Sequence, residues 1–341
     1  QTKRDLHGWL TDKRVRDQFA VRFAMETQVY FADTVGQPQL AYGGEREKRE
    51  NQNWCEMHVK WTPLGTYLVT QHFKGVAFWG GNDFQKVFRV PCRQVKRIQF
   101  SPRETFMFTW NGCGEYVDTG YGTGISGLEN GGRKAVTLWN IQRGATEKLK
   151  NFDYEPLTDE IVSPEWNSEE WAYFKWSSDD RYFARTAFAD VEKDIDPNRE
   201  PNQLREANIL RIFDTATLKS TSIVAKGIRL CEWSPGTSGP PGSNNIIAYW
   251  EPEMKQKNRH ASVTLRQFPS KKLLRQQTLY NVNDCNIYWQ NNGDFMCAHV
   301  ERHSASKKTY FTNLELFRVR ICIDVVYYFH AVADCCKLTF V

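Results

Sequence analysis

The stretch WTPLGTYLVTQHFKGVAFWGG, at residues 61–81, decides the fold because it encodes two short strands and the tight connection between them. Side chains in residues 66–70 alternate with a period of two, which is the spacing of a β-strand. Residues 75–80 form a second run of β-branched and aromatic residues, and Pro63 and Gly65 mark a turn before the first strand. The stretch therefore predicts an antiparallel pair of strands.

The same unit recurs four more times, with an aromatic anchor at the end of its first strand. The anchors are Trp61, Phe100, Trp176, Trp233 and Trp289, separated by 39, 76, 57 and 56 residues. A second apolar segment follows each anchor in the same order, at residues 76–79, 136–140, 210–214, 263–265 and 314–317. Repeats of roughly 40–45 residues with four strands are typical of WD40-type blades. The sequence therefore predicts an all-β protein, a WD40-type β-propeller with about six to seven blades.

The longer anchor spacings indicate insertions, which we place near residues 111–133, 151–170 and 190–206. We expect residues 1–341 to form a single β-propeller domain. A ring of six blades and a partial one would leave strand edges open, so the pattern favours an incomplete domain with further blades beyond Val341. The mixed-charge segment at residues 45–50 is expected to be a solvated hairpin tip.

Composition favours a reduced, cytoplasmic protein. The nine cysteines are scattered and form no C-x-x-C pair, and no N-x-S/T sequon is present. No apolar run approaches the roughly 20 residues of a membrane helix. The aromatic content of 14%, with 12 tryptophans, suits blades that pack face to face.

Sequence motifs for catalysis, phosphate binding or metal binding are weak. Residues 122–127 match G-x-G-x-x-G, but a phosphate site needs a strand before the motif and a helix after it, and here the motif lies in a glycine-rich insertion. His299 and His303 flank a strand end, where four residues span about 13 Å, so a shared metal is not expected. No nucleophile elbow is present. We therefore predict no enzymatic activity, no cofactor and no metal site.

Charge distribution gives the candidate binding residues. Residues 255–275 hold seven bases and no acid, whereas residues 153–170 hold seven acids and no base. Such an asymmetry can orient a protein on a charged partner, although a solvated rim explains a charge run equally well. The segment contains one aromatic residue, Phe268, which favours phosphate contact over base reading. The candidate binding residues are Lys255, Lys257, Arg259, Lys271, Lys272 and Arg275.

The repeats also resemble a particular family, the propeller of the b subunit of eukaryotic translation initiation factor three. The resemblance runs in one order through most of residues 14–320 and is far more specific than a general WD40 pattern. The segments that carry it lie at residues 16–19, 61–81, 99–102, 174–177, 182–185, 232–235, 245–250, 261–265, 281–285, 289–294 and 312–318.

The resemblance implies a nine-bladed propeller that acts as a scaffold and not as an enzyme. In that family the propeller follows an RNA-recognition domain and precedes a helical tail. The implied partners are the a, g, i and j subunits of the factor, together with the RNA and proteins of the small ribosomal subunit near the messenger RNA entry side, and no membrane. The insertions at residues 111–133, 151–170 and 190–206, and the residues after Asp324, depart from the family pattern.

Two alternatives stay open at this level. Within the same class, initiation factor 2A has a related propeller, and other WD40 proteins serve as protein-interaction scaffolds. In another class, serine peptidases of the prolyl-oligopeptidase kind carry a propeller, but they also need a hydrolase domain with a nucleophile elbow.

Overall fold

The structure is a computed structural model, and it is built almost entirely of antiparallel strands. It describes residues 6, 8, 12–24, 26–33, 36–93, 95–111, 116–118, 123–125, 136–144, 146–152, 174–187, 209–224, 228–235, 245–253, 258–304, 309–319 and 326–331. No helix in these ranges is long and apolar enough to cross a membrane. The chain divides into two compact units, and each contains three blade-like sheets.

The first unit holds one three-stranded sheet, two four-stranded sheets and a small hairpin. The first sheet has the order β1 (Gln18–Phe23), β2 (Glu26–Phe31) and β3 (Gln39–Tyr42), and is followed by helix α1 (Glu45–Arg49). The second has the order β4 (Val59–Trp61), β5 (Leu68–His72), β6 (Gly75–Gly80) and β7 (Gln85–Val90). The third has the order β8 (Arg97–Phe100), β9 (Phe106–Trp110), β12 (Val136–Asn140) and β13 (Glu147–Phe152), while β10 (Tyr116–Asp118) and β11 (Thr123–Ile125) pair with each other.

The second unit holds three four-stranded sheets. Their orders are β14 (Lys175–Trp176), β15 (Tyr182–Ala187), β16 (Ile209–Asp214) and β17 (Ser220–Val224); β18 (Leu230–Trp233), β19 (Asn245–Glu251), β20 (Ala261–Phe268) and β21 (Leu273–Leu279); and β22 (Val282–Trp289), β23 (Phe295–His303), β24 (Tyr310–Arg318) and β25 (Val326–Ala331). Sequential strands pair in each of these three sheets, which is the meander of a propeller blade.

The repeat predicted from the sequence is confirmed strand by strand. All five anchors are the last residues of the first strands of the four-stranded sheets, namely β4, β8, β14, β18 and β22. The second apolar segments all lie in the third strands, β6, β12, β16, β20 and β24. Phe100, Trp176 and Trp233 are buried, whereas Trp61 and Trp289 are half-buried. The all-β, propeller-like fold class is therefore correct.

Aromatic side chains pack each blade against the next within a unit. In the first unit, Phe78 stacks on Phe88 with ring centroids 4.2 Å apart and meets the edge of Phe100 from the third sheet. In the second unit, Tyr182 lies 4.7 Å from Phe268 in an edge contact that joins two sheets. Each buried ring removes a large apolar area from water, so these contacts stabilise the face-to-face packing of the blades.

The expectation for residues 45–50 was wrong. They form helix α1, which Gly44 precedes in a left-handed conformation with φ of 74°. The helix is not a solvated tip, because Glu47 is buried and accepts a hydrogen bond from the hydroxyl of Tyr42. Arg46 donates from Nη2 to the carbonyl oxygen of Phe84 at 2.7 Å, which ties the helix to the second sheet. The charge pattern of residues 45–50 did not reveal the contact between this helix and the second sheet.

Several expectations concern residues outside the described ranges. They include residues 151–170 beyond Phe152 and all of 190–206. Within the insertion at 111–133, the described residues give the β10–β11 hairpin, and Thr123 of the G-x-G-x-x-G match begins β11. Near the C-terminus, β25 pairs with β24 and supplies the fourth strand of the sixth sheet. The sixth sheet therefore has four strands.

Candidate basic surface

The structure separates the predicted binding residues instead of gathering them. Lys255 and Lys257 lie outside the described residues, in the connection between β19 and β20. Arg259 is just before β20, whereas Lys271 and Lys272 lie in the turn after it. Because β20 has eight residues at about 3.3 Å each, its ends are roughly 25 Å apart. Among the described residues, Arg259 therefore lies at the opposite end of β20 from Lys271 and Lys272, and these three residues do not form one patch.

The turn that carries Lys271 and Lys272 is held in place by hydrogen bonds. The backbone N–H of Gln267 donates to the carbonyl oxygen of Lys272 at 2.9 Å and closes the hairpin. Arg266 donates from Nη1 to the carbonyl oxygen of Lys271 at 3.1 Å and from Nε to the hydroxyl of Tyr249 at 3.0 Å. The guanidinium of Arg266 therefore bonds groups of its own sheet and stabilises the turn.

The three basic side chains of this hairpin differ in how accessible they are to an anionic partner. Lys271 is exposed, and its Nζ donates to the carbonyl oxygen of Ser222 in β17 at 3.1 Å. Arg275 is half-buried, and its guanidinium carbon lies 5.4 Å from the centroid of the Phe317 ring. Part of its side chain therefore packs against that ring. Lys272 is exposed, and within the described part of the chain its Nζ has no hydrogen bond or ion pair. Lys272 is therefore the side chain most available for an anionic partner.

Two exposed leucines adjoin the turn, and the sequence analysis did not single them out. Leu273 is 45% exposed and Leu274 is 40% exposed. The pairing of β20 with β21 shifts between Leu265 and Arg266, so Leu274 has no partner in the ladder. This bulge turns successive apolar residues toward solvent. We define the hairpin surface as Lys271, Lys272, Leu273 and Leu274.

A second basic surface lies in the first unit and was missed by sequence reasoning. We define the Phe73 surface as Phe73, Lys74, Arg89 and Arg93. Phe73 and Lys74 form the turn between β5 and β6, and Arg89 is near the end of β7. The signal was available, because residues 84–103 contain six bases and no acid. It was overlooked because the bases are spread over a strand, a connection and a turn.

A chain of buried polar contacts connects residues of the second blade. Trp79 donates from Nε1 to Thr70 Oγ1, which lies 2.9 Å from His72 Nε2, and His72 Nδ1 lies 3.5 Å from Glu56 Oε1. Burial lowers the pKa of His72, with Glu56 opposing the shift and Arg89 and Lys86 adding to it. The lowered pKa favours the neutral form of this buried imidazole, whose partners are Thr70 in the same strand and Glu56 just before β4.

The cysteine thiols are poor nucleophiles where the structure describes them. Burial raises the pKa of Cys231 and of Cys285 to about 12 and that of Cys297 to about 11. The thiolate is the reactive form, so these thiols are inert near neutral pH. Across the described ranges, no three His, Cys, Asp or Glu side chains are grouped so that they could hold a metal ion.

Relatives of known name cover nearly the whole chain. The B subunit of eukaryotic translation initiation factor 3 from Emericella nidulans is 32% identical over 326 residues, which is 93% of this chain and 40% of that protein. The protein of the same name from Schizosaccharomyces pombe is 32% identical over 329 residues, which is 94% of this chain and 42% of that protein. The chain therefore spans about two fifths of the length of these curated relatives. No family model matches the sequence.

A solved structure supports the fold. The crystal structure described as that of "the eukaryotic initiation factor" matches with a TM-score of 0.55 over 88% of this chain and 60% of the other chain. The sequence identity of this pair is 15%, so the likeness concerns the fold alone.

Proposed function

The chain belongs by sequence to the family of the B subunit of eukaryotic translation initiation factor 3, and from that membership we propose that it forms the scaffold portion of such a subunit and docks on the small ribosomal subunit. The single observation that carries the proposal is the match of more than nine tenths of the chain to relatives of that name. The prediction that the chain is not an enzyme agrees with relatives that are named as initiation factor subunits.

The physical support comes from the kind of surface that the blades present. Antiparallel sheets with buried aromatic contacts hold their turns in fixed positions, so a turn can act as a preorganised binding element. The hairpin surface combines exposed positive charge with two exposed leucines. Ribosomal RNA offers phosphates to such lysines, and ribosomal or factor proteins offer apolar contacts to the leucines.

We propose the a, g, i and j subunits of the factor as partners, together with the RNA and proteins of the small ribosomal subunit. We propose a cytoplasmic location for this assembly, because translation initiation occurs there. The alternative serine peptidase would need a nucleophile elbow, and the sequence contains none. Stoichiometric labelling by a fluorophosphonate probe would revive that alternative.

The hairpin surface can be tested by equilibrium binding to purified small ribosomal subunits at two salt concentrations. The variant Lys271→Glu with Lys272→Glu should weaken binding and flatten its dependence on salt, because fewer counterions are released on association. The matched control is Lys60→Glu with Lys148→Glu, which makes the same charge change at two exposed positions of the first unit. Equal affinities for the wild type and the hairpin variant at low salt would rule out this contact.

A further inference from the structure

The Phe73 surface begins with an exposed aromatic ring at the tip of a rigid hairpin. Phe73 is 63% exposed, although a phenylalanine usually lies inside the protein. Its backbone N–H donates to Glu56 Oε2 at 2.8 Å, so the turn is fixed at the residue that bears the ring. The ring itself is not needed for the core of the blade. An exposed, preorganised aromatic face is a suitable platform for a planar ligand.

Three cations lie in or beside the turn that carries this ring. Lys74 follows Phe73 in the turn, and Arg89 Nε lies 3.2 Å from the position that a Cβ at Gly75 would occupy. The backbone N of Cys92 lies 3.4 Å from the same position, and Arg93 is the next residue. Gly75 has a φ of 149°, which favours glycine and permits this close approach of the β7 end. The turn and the end of β7 therefore meet in one place.

These cations are available to an anionic partner. Lys74, Arg89 and Arg93 are exposed, and none of their side-chain nitrogens makes a hydrogen bond or ion pair with another described residue. The neighbouring acid, Glu56, already has partners. Its Oε2 accepts a hydrogen bond from the backbone N–H of Phe73, and its Oε1 lies 3.5 Å from His72 Nδ1. Arg22 adds another positive charge nearby by donating from Nη2 to the carbonyl oxygen of Glu56 at 2.8 Å. The local field is therefore positive around an exposed ring.

We propose that the Phe73 surface binds single-stranded RNA, with an unpaired base stacked on Phe73 and the adjoining phosphates held by Lys74, Arg89 and Arg93. Base stacking uses an aromatic face and is tolerant of sequence, while phosphates are bound by unpaired lysines and arginines. An acidic protein segment would match the charges but would leave the ring without a planar partner. The combination of ring and cations thus favours a nucleic-acid strand. This site goes beyond the proposed function, whose candidate contact, the hairpin surface, lies in the second unit, whereas Phe73 lies in the first.

The test is fluorescence anisotropy of a fluorescein-labelled uridine 12-mer titrated with the full chain at several salt concentrations. Phe73→Ala should weaken binding about tenfold with the salt dependence unchanged, because it removes one stacked base. Lys74→Glu, Arg89→Glu and Arg93→Glu together should abolish binding at moderate salt. Where residual binding can be measured, the slope of log K against log salt should fall by about 2, as expected for three phosphate contacts to a single strand.

Controls make the result decisive and separate it from the proposed function. The variant Lys60→Glu with Lys148→Glu, which changes two exposed lysines outside both defined surfaces, should bind the oligonucleotide like the wild type, and far-ultraviolet circular dichroism should show that every variant is folded. The inference is overturned if the wild type fails to bind the 12-mer at low salt, or if Phe73→Ala binds it unchanged. It is also overturned if polyglutamate of equal charge competes as well as unlabelled RNA, which would identify an acidic protein as the partner. None of these outcomes depends on ribosomal subunits.

Discussion

Trp79 donates its indole N–H to the hydroxyl of Thr70 at 2.7 Å, and the two residues lie on neighbouring strands of the second blade. The third blade repeats the bond, since Trp139 donates to Thr109 Oγ1 at 2.9 Å. Both tryptophans are buried, so the indole N–H needs a partner within the blade. The tryptophan near the end of the third strand, which made the repeat visible in the sequence, therefore has a defined polar role.

Thr70→Val should lower the free energy of unfolding by about 1–3 kcal/mol. The substitution keeps the shape of the side chain but leaves the buried indole N–H of Trp79 without an acceptor. Chemical denaturation monitored by tryptophan fluorescence measures the change. Thr137→Val is the matched control, because the Thr137 hydroxyl bonds Asn151 at an exposed site, and it should change stability by less than about 0.5 kcal/mol. Equal effects of the two substitutions would contradict this role.

Stability should fall as the pH drops below about 6.5, and His72 should contribute to the fall. Burial holds the pKa of His72 below its ordinary value of 6.5, and burial also lowers the pKa of His58. Between the folded and the unfolded pKa values the unfolded chain binds more protons, so the free energy of unfolding increases with pH. Denaturation curves at pH 5.5 and 7.5 should therefore differ less for His72→Gln than for the wild type. An unchanged difference would show that His72 does not titrate on unfolding.

Native cysteines should resist alkylation. Cys231 and Cys285 are buried, and burial raises the pKa of each thiol to about 12, so little thiolate exists at pH 8. Peptide mass spectrometry after brief iodoacetamide treatment should find these two residues unmodified in buffer and modified in denaturant. Rapid labelling of Cys231 or Cys285 in buffer would mean that the blades open far more readily than their packing implies.

Arg302→Met should be strongly destabilising, by about 3–5 kcal/mol. Arg302 forms an ion pair with Glu315, a residue only 2% exposed, and donates from Nη1 to the carbonyl oxygen of Tyr280 at 2.7 Å. Burial raises the pKa of Glu315, and Arg302 opposes that shift by favouring the charged form. Removing the guanidinium leaves a buried carboxylate unpaired.

The double variant Arg302→Met with Glu315→Leu is the control for that prediction. It should recover much of the stability lost in Arg302→Met, since no charge then remains buried. Chemical denaturation of the single and double variants would measure the recovery. A double variant that is less stable than Arg302→Met would contradict an electrostatic origin of the loss.

Strand order and blade repeat could be predicted from the sequence, because both follow from local periodicity and from residues such as Trp61 and Trp233 that recur in a fixed order. The position of Arg259 and Lys271 at opposite ends of β20 was missed, although it follows from the length of one strand. Helix α1 and the Phe73 surface could not be predicted in this way. Glu47 is buried by contacts from another element, and Arg89 reaches Gly75 only after β7 pairs with β6.

The central claim is that the chain is a scaffold of an initiation factor that docks on the small ribosomal subunit. Co-sedimentation with purified small ribosomal subunits, at two salt concentrations and with or without the other factor subunits, tests it most directly. We expect the chain to pellet with the ribosomal subunits at low salt, to be partly released at high salt, and to be retained better when the other factor subunits are present. Failure to pellet at low salt even with the other factor subunits present would contradict the claim and would leave the similarity as one of fold and sequence alone.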